Sequence, residues 1–327
     1  MRISSSALVN AAAESGFNSE PLEKVFRLLD LLERIQGHPF LKGRLVLKGG
    51  TALNLFHLAV PRLSVDIDLN YIGGIDRQTM LEERPKVEQA IAAVCGRADL
   101  NVRRAPTEHA GGKWRLRYAD VNGRQGNLEL DLNFLMRAPL WPPQSLDSQL
   151  LGPFGVQSVL VSDVHELAAG KLAALFSRTA ARDLYDVCRF LEQGTLNPQK
   201  LRLAFVVYGG ISRRDWRSVA IGDISVAESA VQQQLIPMLR RDLAPPPGET
   251  GRWTERLVSN CQRLCSDLLP FTEGEVQFLE ALNSRGEIIP ELLTDDEGLR
   301  QQIRVQPGLL WKAHNVRQHQ QGASPGN

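Results

Sequence analysis

Apolar residues recur at helical or strand spacing along the first part of the chain. Glu20–Gln36 carries its leucines, valine and phenylalanine on one broad stripe, which predicts an amphipathic helix. Short apolar runs at Arg44–Lys48 and Ser64–Ile72 predict strands, and Thr51–Leu58 between them predicts a helix. The order strand, helix, strand indicates a mixed α/β beginning.

A second pair of strands is expected after a helix at Gln78–Cys95. Lys113–Val121 and Asn127–Phe134 flank the dipeptide Asn122-Gly123, which is a hairpin signal because both residues accept a left-handed backbone. These two strands extend the predicted sheet.

The later part of the sequence is patterned mainly for helices. Pro139–Pro153 contains Trp-Pro-Pro and indicates a linker, and helix breaks are predicted at Tyr208–Gly210 and Ala244–Gly248. The other elements predicted here are a strand at Gln157–Val161 and helices from Asp163 to about Ser177, opened by a capping-box spacing to Glu166, and over Ala180–Leu191. We therefore predict an α+β fold: a mixed domain over residues 1–155, a mainly helical domain over 156–313 and a polar, disordered tail over 314–327.

Composition narrows the class of protein. Hydrophobic residues make up 43% and charged residues 23% of the 327 residues, which are globular values, and no window is apolar enough to predict a membrane span or a signal peptide. The four cysteines lack zinc-ligand spacing, which favours reduced thiols in a cytoplasmic protein. A net charge of +1 gives no overall attraction to nucleic acid, so any such binding requires local basic patches.

The first candidate chemistry follows the strand at Arg44–Lys48. Gly49 and Gly50 let a phosphate approach the backbone amides at the start of a helix, although this pattern alone is more typical of a tight turn. Asp66 and Asp68 then share one face of the next strand, about 6–7 Å apart. Two carboxylates this close repel each other unless cations intervene, and Mg²⁺ prefers such oxygen ligands. The pattern predicts a site for two Mg²⁺ ions, which Mn²⁺ could replace.

A two-metal site usually needs a third carboxylate from a neighbouring strand. Within NLELDLNF, Glu129, Asp131 and Asn133 share the polar face. Asp131 is the expected third metal ligand, and Glu129 is the second choice. The alternative is an edge strand whose acids face solvent.

Three segments in this order resemble a known family. KGGTALNL, RLSVDIDL and HELAAGKLAALFSRTAARDLYDV are similar to the nucleotidyltransferases typified by the AbiEii/AbiGii toxins, which include the MenT toxins. The resemblance runs from about Leu22 to Phe190. It implies a polymerase-β-like nucleotidyltransferase domain, with a mixed sheet flanked by helices, followed by a mainly helical domain.

The resemblance also implies roles for individual residues. Thr51 takes the place of a serine whose hydroxyl binds a phosphate, and Arg62 and Ser64 match the residues before the acid pair. Lys171 would bind the triphosphate, with Arg178 beside it on the same helix face. The remaining residues of this element are Arg182, which extends the basic stripe, Asp183, expected to support catalysis, and Asp186, expected to support the helix or an arginine; the order of the two aspartates stays open.

The implied activity is transfer of a nucleoside monophosphate from an NTP to an acceptor hydroxyl, here expected to be the 3′ end of tRNA. The implied biology is a toxin of an AbiE-like toxin–antitoxin or abortive-infection system acting in phage defence, with an AbiEi-like antitoxin as partner. We expect a cytoplasmic monomer. Transfer to a small molecule or a protein, and a catalytically silent nucleotide-binding regulator, stay open as alternatives.

Several other residues suggest secondary hypotheses. His57 and His165 are expected to pack rather than react, and Lys48 could point toward the phosphates. The basic residues Arg103, Arg104, Arg115 and Arg117 interleave with Trp114 and Tyr118, which suits either RNA or a charge ladder with Glu129 and Asp131. A weaker candidate for polyanion binding is the group Arg213, Arg214 and Arg217 near Trp216.

Overall fold

A computed structural model describes residues 3–104 and 110–322, and the side chains of Arg104 and Gln321 are outside the described set. The chain divides into two compact units. The first comprises Met1–Arg137, Pro142–Asp163 and Gln232–Gly248, and the second comprises Ala138–Trp141, Val164–Val231 and Glu249–Asn327.

A mixed sheet forms the centre of the first unit. Its seven strands in the described residues are β1 (Leu45–Lys48), β2 (Asp66–Tyr71), β3 (Asn101–Arg104), β4 (Gly111–Ala119), β5 (Gln125–Asn133), β6 (Gln144–Leu146) and β7 (Val159–Val161). Their spatial order is β3-β4-β5-β2-β1-β7-β6. The pairs β2/β5 and β1/β7 are parallel, and the other neighbours are antiparallel.

Alternation along the two central strands creates one buried and one polar face. Ile67 and Leu69 of β2 and Leu130 and Leu132 of β5 are all at most 2% exposed. The residues between them are half-buried acids, because successive strand side chains point to opposite faces.

The α-helices of this unit are α1 (Ser5–Ser15), α2 (Ser19–Gln36), α3 (Gly49–Ala52), which continues into a π-helical turn at Leu53–His57, and α4 (Arg77–Arg97).

The second unit is helical. Its α-helices are α5 (Val164–Arg178), α6 (Ala181–Leu191), α7 (Pro198–Ile211), α8 (Glu228–Ala230), α9 (Thr250–Cys265), α10 (Glu273–Glu280), α11 (Glu297–Arg304) and α12 (Pro307–Gly322). Phe176, Phe205 and Trp216 form an aromatic cluster with ring centroids 5.2–5.9 Å apart, at the centre of its core. None of the helices among the described residues combines the length and apolarity needed to cross a membrane.

The helix break predicted at Tyr208–Gly210 is wrong, because α7 continues to Ile211. A Cβ on Gly209 would lie 1.9 Å from Nε1 of Trp216, so the glycine admits the indole ring against the helix. The break predicted at Ala244–Gly248 is confirmed, and α9 begins after it at Thr250.

Gly209→Ala should therefore destabilise the protein, although alanine is the better helix former. The added methyl group overpacks the Trp216 contact, and overpacking costs about 1–3 kcal/mol of unfolding free energy, more than the roughly 1 kcal/mol that helix propensity returns. Urea denaturation of the full chain measures this difference. Gly222→Ala, where the added Cβ meets nothing within 4 Å, is the matched control and should change stability little; equal stability of both variants would contradict the packing role.

The domain boundary differs from the predicted one. It lies between Asp163 and Val164 rather than between residues 155 and 156, because β7 pairs with β1 and β6 of the sheet. The expected linker contains β6, and the expected disordered tail is helical to Gly322.

A second segment of the first unit comes from late in the sequence. Residues 232–248 join it through hydrogen bonds such as Leu63 N to Met238 O at 2.8 Å and Arg240 N to Pro61 O at 3.1 Å. No local sequence pattern indicates such a return.

Candidate active site

Four carboxylates lie in register on one face of the sheet. Asp66 of β2 stands beside Glu129 of β5, and Asp68 stands beside Asp131. Registered neighbours point to the same face, so the four side chains form a continuous patch, called here the acidic face. All four are half-buried. The structure thus brings the predicted third carboxylate next to the predicted pair.

The turn before α3 passes directly against this face. Gly49 has φ +74°, and a Cβ there would lie 2.1 Å from Oδ2 of Asp68. Only glycine accepts both the left-handed backbone and the close approach. The sequence predicts that the two glycines let a phosphate approach the backbone, and the structure adds a specific need for glycine at position 49.

Thr51 makes a contact that the sequence did not indicate. Its side chain is fully buried, and Oγ1 donates a hydrogen bond of 2.5 Å to the backbone oxygen of Asp66. The hydroxyl proton that a phosphate oxygen would need is used in this bond. In this structure Thr51 therefore ties α3 to the start of β2, a different role from the phosphate contact implied by the resemblance.

Cations flank the acidic face on both neighbouring strands. Lys48 of β1 is paired in register with Asp68, and Lys113 of β4 is paired with Asp131. Nζ of Lys113 lies 2.8 Å from Oε2 of Glu129, and Nε of Arg115 lies 3.7 Å from Oε1 of the same residue. Glu129 is thus held in a cross-strand charge ladder, which leaves Asp131 as the better candidate for the third ligand.

Lys113 is a site residue that sequence reasoning missed. Its pKa is raised by the hydrogen bond to Glu129 and further by the charges of Asp66 and Asp131, so its ammonium group interacts with three of the four carboxylates of the acidic face. The register pairs Lys113 with Asp131 across a loop longer than Asn122-Gly123. A two-residue turn at those positions would place Lys113 opposite Leu132, so the turn signal alone does not identify it.

The carboxyl group of Asp131 has a shifted pKa. Burial raises its pKa above the ordinary aspartate value; the ammonium of Lys48 opposes that rise, and the carboxylate of Asp68 adds to it. Negative charge at this position is therefore incompletely compensated by the protein's own cations.

The donor set fits a divalent cation in chemistry and register. Three carboxylates on adjacent strand positions are oxygen ligands of the type that Mg²⁺ prefers, and the raised pKa of Asp131 indicates that additional positive charge would be stabilised there. Across residues 3–104 and 110–322, no three side chains of Asp, Glu, His or Cys converge closely enough to hold a metal ion. Metal binding would therefore require the carboxylates to turn toward one another.

In the second unit the predicted lysine and aspartates meet in one buried cluster. Nζ of Lys171 lies 3.0 Å from Oδ1 of Asp183 and 2.7 Å from Oδ2 of Asp186, and Nε of Arg178 lies 2.6 Å from Oδ2 of Asp183. The two carboxylate side chains are 2% and 0% exposed, whereas the Arg178 side chain is 65% exposed. The cluster joins α5 to α6.

Charge pairing keeps Asp183 ionised. Burial alone would raise the pKa of Asp183, but the Lys171 ammonium and the Arg178 guanidinium together hold it below the ordinary value. The Lys171 ammonium has three N–H donors and contacts two buried carboxylates.

Comparison with known proteins decides the family. The family model described as nucleotidyl transferase AbiEii toxin, type IV toxin–antitoxin system, matches residues 30–257. The chain belongs to this family. The match spans both the acidic face and the Lys171 cluster, and it confirms the resemblance carried by the three sequence segments.

The fold of this AbiEii family member is similar to a solved structure. MenT4, a nucleotidyltransferase toxin from Mycobacterium tuberculosis H37Rv, superposes with a TM-score of 0.57 at 19% identity, covering 93% of this chain and 98% of MenT4. The superposition confirms the α+β fold. No curated protein sequence matches the chain.

The remaining sequence candidates have structural roles. Nε2 of His165 accepts a hydrogen bond of 3.0 Å from the Asn197 backbone, and burial lowers the pKa of His57. Arg62, which precedes the acid pair in the family pattern, is 2% exposed and donates to the Leu63 backbone oxygen at 2.8 Å. Ser64 is also buried.

For the first aromatic–basic group the charge ladder is the alternative that the structure shows, since Arg115 pairs with Glu129, and the RNA alternative needs correction, as does the polyanion hypothesis for the second group. Trp114 and Tyr118 are 3% and 4% exposed, because strand alternation places them on the core face while Arg115 points to the other. They cannot stack on RNA bases from there. Trp216 is 0% exposed in the aromatic cluster, and its neighbours Arg214 and Arg217 pair with Asp223 and Asp215.

Proposed function

We propose that this AbiEii family member is a metal-dependent nucleotidyltransferase that moves a nucleoside monophosphate from an NTP to an acceptor hydroxyl, with the 3′ end of tRNA as the acceptor. The observation that carries the proposal is the register of Asp66, Asp68 and Asp131 against the glycine turn at Gly49. Family membership supports nucleotidyl transfer by a toxin.

The acidic face would hold the metal through Asp66, Asp68 and Asp131. A bound divalent cation neutralises phosphate charge and acidifies the attacking hydroxyl. Asp131 is suited to accept the proton of that hydroxyl, because burial raises its pKa above that of an ordinary aspartate. Gly49 and Gly50 leave the backbone open to a phosphate oxygen, and Lys48 and Lys113 supply positive charge on the flanking strands.

Within the second unit, Lys171 and Arg178 are the proposed triphosphate-binding residues. Asp183 and Asp186 support this proposal by fixing the Lys171 side chain, and Arg178 keeps a largely exposed guanidinium. The proposed setting is the cytoplasm, where the chain would act as a monomer neutralised by an AbiEi-like antitoxin. A toxin of a toxin–antitoxin system implies such a partner.

The test is incubation of the purified full chain with Mg²⁺, each labelled NTP in turn, and total tRNA. Labelled tRNA with one or more NTPs, lost on addition of EDTA, is the expected result. Label on protein or on a small molecule, with none on tRNA, would move the acceptor to one of the alternative classes. No labelled product with any NTP and any acceptor would contradict nucleotidyl transfer itself.

A further inference from the structure

A cavity in the second unit lies outside the acidic face and the Lys171 cluster, and one of its lining residues is Arg213. It has a volume of about 410 Å³ and lies between the end of α7, the π-helical turn Ala281–Arg285 and α12. This volume falls within the range of about 300–1,000 Å³ typical of small-ligand sites. We call it the Trp311 pocket; the lining residues that matter here are Arg213, Asn283, Trp311, Lys312, Asn315 and His319.

An exposed indole forms one wall of the pocket. Trp311 is 46% exposed, whereas Trp114 and Trp216 are buried. Tryptophan is enriched at binding interfaces, because its ring is apolar and its N–H group is polar. Its flat face and its N–H group suit a planar ligand that also offers hydrogen-bond acceptors.

The polar groups of the pocket are cationic or neutral. Among the residues that the structure describes, no aspartate or glutamate lines it. Arg213 is exposed, and its guanidinium makes no hydrogen bond or ion pair within the part of the chain that the structure describes. Lys312, in contrast, donates a hydrogen bond of 2.9 Å to the backbone oxygen of Ser212, and this bond fixes the position of its ammonium group. The amide side chains of Asn283 and Asn315 add donors and acceptors.

We propose that the Trp311 pocket binds an unpaired nucleobase and its adjacent phosphate on the RNA acceptor strand. Trp311 would stack on the base, Asn315 would meet its edge, and Arg213 would bind the phosphate. One unpaired guanidinium suits a single phosphodiester better than a triphosphate, which favours RNA over a free NTP. This proposal rests on the proposed function, because it assigns a binding site to the RNA acceptor proposed there.

The experiment measures binding of a fluorescein-labelled single-stranded RNA of about twelve nucleotides to the full chain by fluorescence anisotropy, without NTP. Trp311→Ala should weaken binding about 5- to 100-fold, since base stacking contributes that much per aromatic ring. Trp311→Phe, which keeps a stacking face, should stay within about threefold of wild type. Arg213→Gln should weaken binding and reduce the salt dependence by about one counterion.

Two controls separate a local site from general effects. Leu310→Ala removes an equally exposed apolar side chain next to Trp311, and Arg124→Gln removes an exposed cation outside the pocket. Both should bind RNA like wild type. Because the Arg213 side chain is exposed and makes no hydrogen bond or ion pair among the described residues, its variant should fold even if Trp311→Ala does not.

The outcomes distinguish this proposal from the one on which it rests. Labelled-nucleotide transfer by wild type together with equal RNA binding by wild type, Trp311→Ala and Arg213→Gln overturns the pocket assignment alone. Loss of RNA binding in both variants supports it, even if wild type transfers no nucleotide and the proposed function fails. Unchanged RNA binding with lost capture of the antitoxin assigns the pocket to a protein partner and also overturns the proposal.

Discussion

Asp68→Asn should lower the rate of nucleotidyl transfer by about 100- to 10,000-fold, because a metal-binding carboxylate contributes several kcal/mol to charge stabilisation in the transition state. Asp68 lies at the centre of the acidic face, beside Asp131 and against the Gly49 turn. The asparagine is isosteric, so folding should be retained. Single-turnover transfer of labelled NMP to tRNA measures the loss, and overexpression of the variant should no longer inhibit growth.

Glu129→Gln is the control on the same sheet face. Glu129 is engaged with Lys113 and Arg115, so its replacement should reduce the rate by about tenfold, the lower end of the range of about 10- to 100-fold expected of a residue that acts through others. If Glu129→Gln is as damaging as Asp68→Asn while Asp131→Asn is mild, the third ligand is Glu129 and the assignment of Asp131 is wrong.

Lys171→Met should cost about 3–5 kcal/mol of unfolding free energy, because removing one partner of a buried ion pair leaves the other charge uncompensated. Here two carboxylates, those of Asp183 and Asp186, lose their shared ammonium. Urea denaturation near neutral pH measures the loss. Arg285→Met, at an ion pair whose two side chains are each 52% exposed, is the control and should cost less than about 1 kcal/mol.

The double variant and the pH dependence test the cause of this loss. Lys171→Met with Asp186→Asn should be more stable than Lys171→Met alone, because one orphaned charge is gone. The folded-state pKa of Asp183 is lowered in wild type, so the stability this group contributes is present above its ordinary value of 3.8 and is lost as pH falls through the lower folded value. Equal stability of the single and double variants would show that the cluster is not held by charge.

The sequence predicts the elements whose signals are local. The stripe of α2 and the alternation of β2, β4 and β5 give the sheet, the buried face and the candidate acids, because these patterns depend on periods of 3.6 and 2 residues. Family resemblance supplies Lys171 and its aspartates, which periodicity alone would leave as an ordinary charged helix.

What the sequence does not give depends on long-range contacts. The sequence predicts a helix break at Gly209, whereas in the structure the glycine lies within a helix and makes room for the ring of Trp216. The family resemblance implies a phosphate contact for Thr51, whereas in the structure its hydroxyl donates a hydrogen bond to the backbone oxygen of Asp66. The burial of Trp114 follows from which sheet face the core covers, and β6 is too short for a periodic signal.

The return of residues 232–248 bears on how the chain can be divided. Protein ending after Asp163 would hold every strand of the sheet yet lack the backbone partners of Pro61 and Leu63, immediately before the acid pair. A contiguous fragment is thus a poor substitute for the whole chain in assays of the first unit. Ribosomal synthesis must proceed past residue 248 before the first unit can be completed, which delays the appearance of a finished toxin until most of its polypeptide has been made.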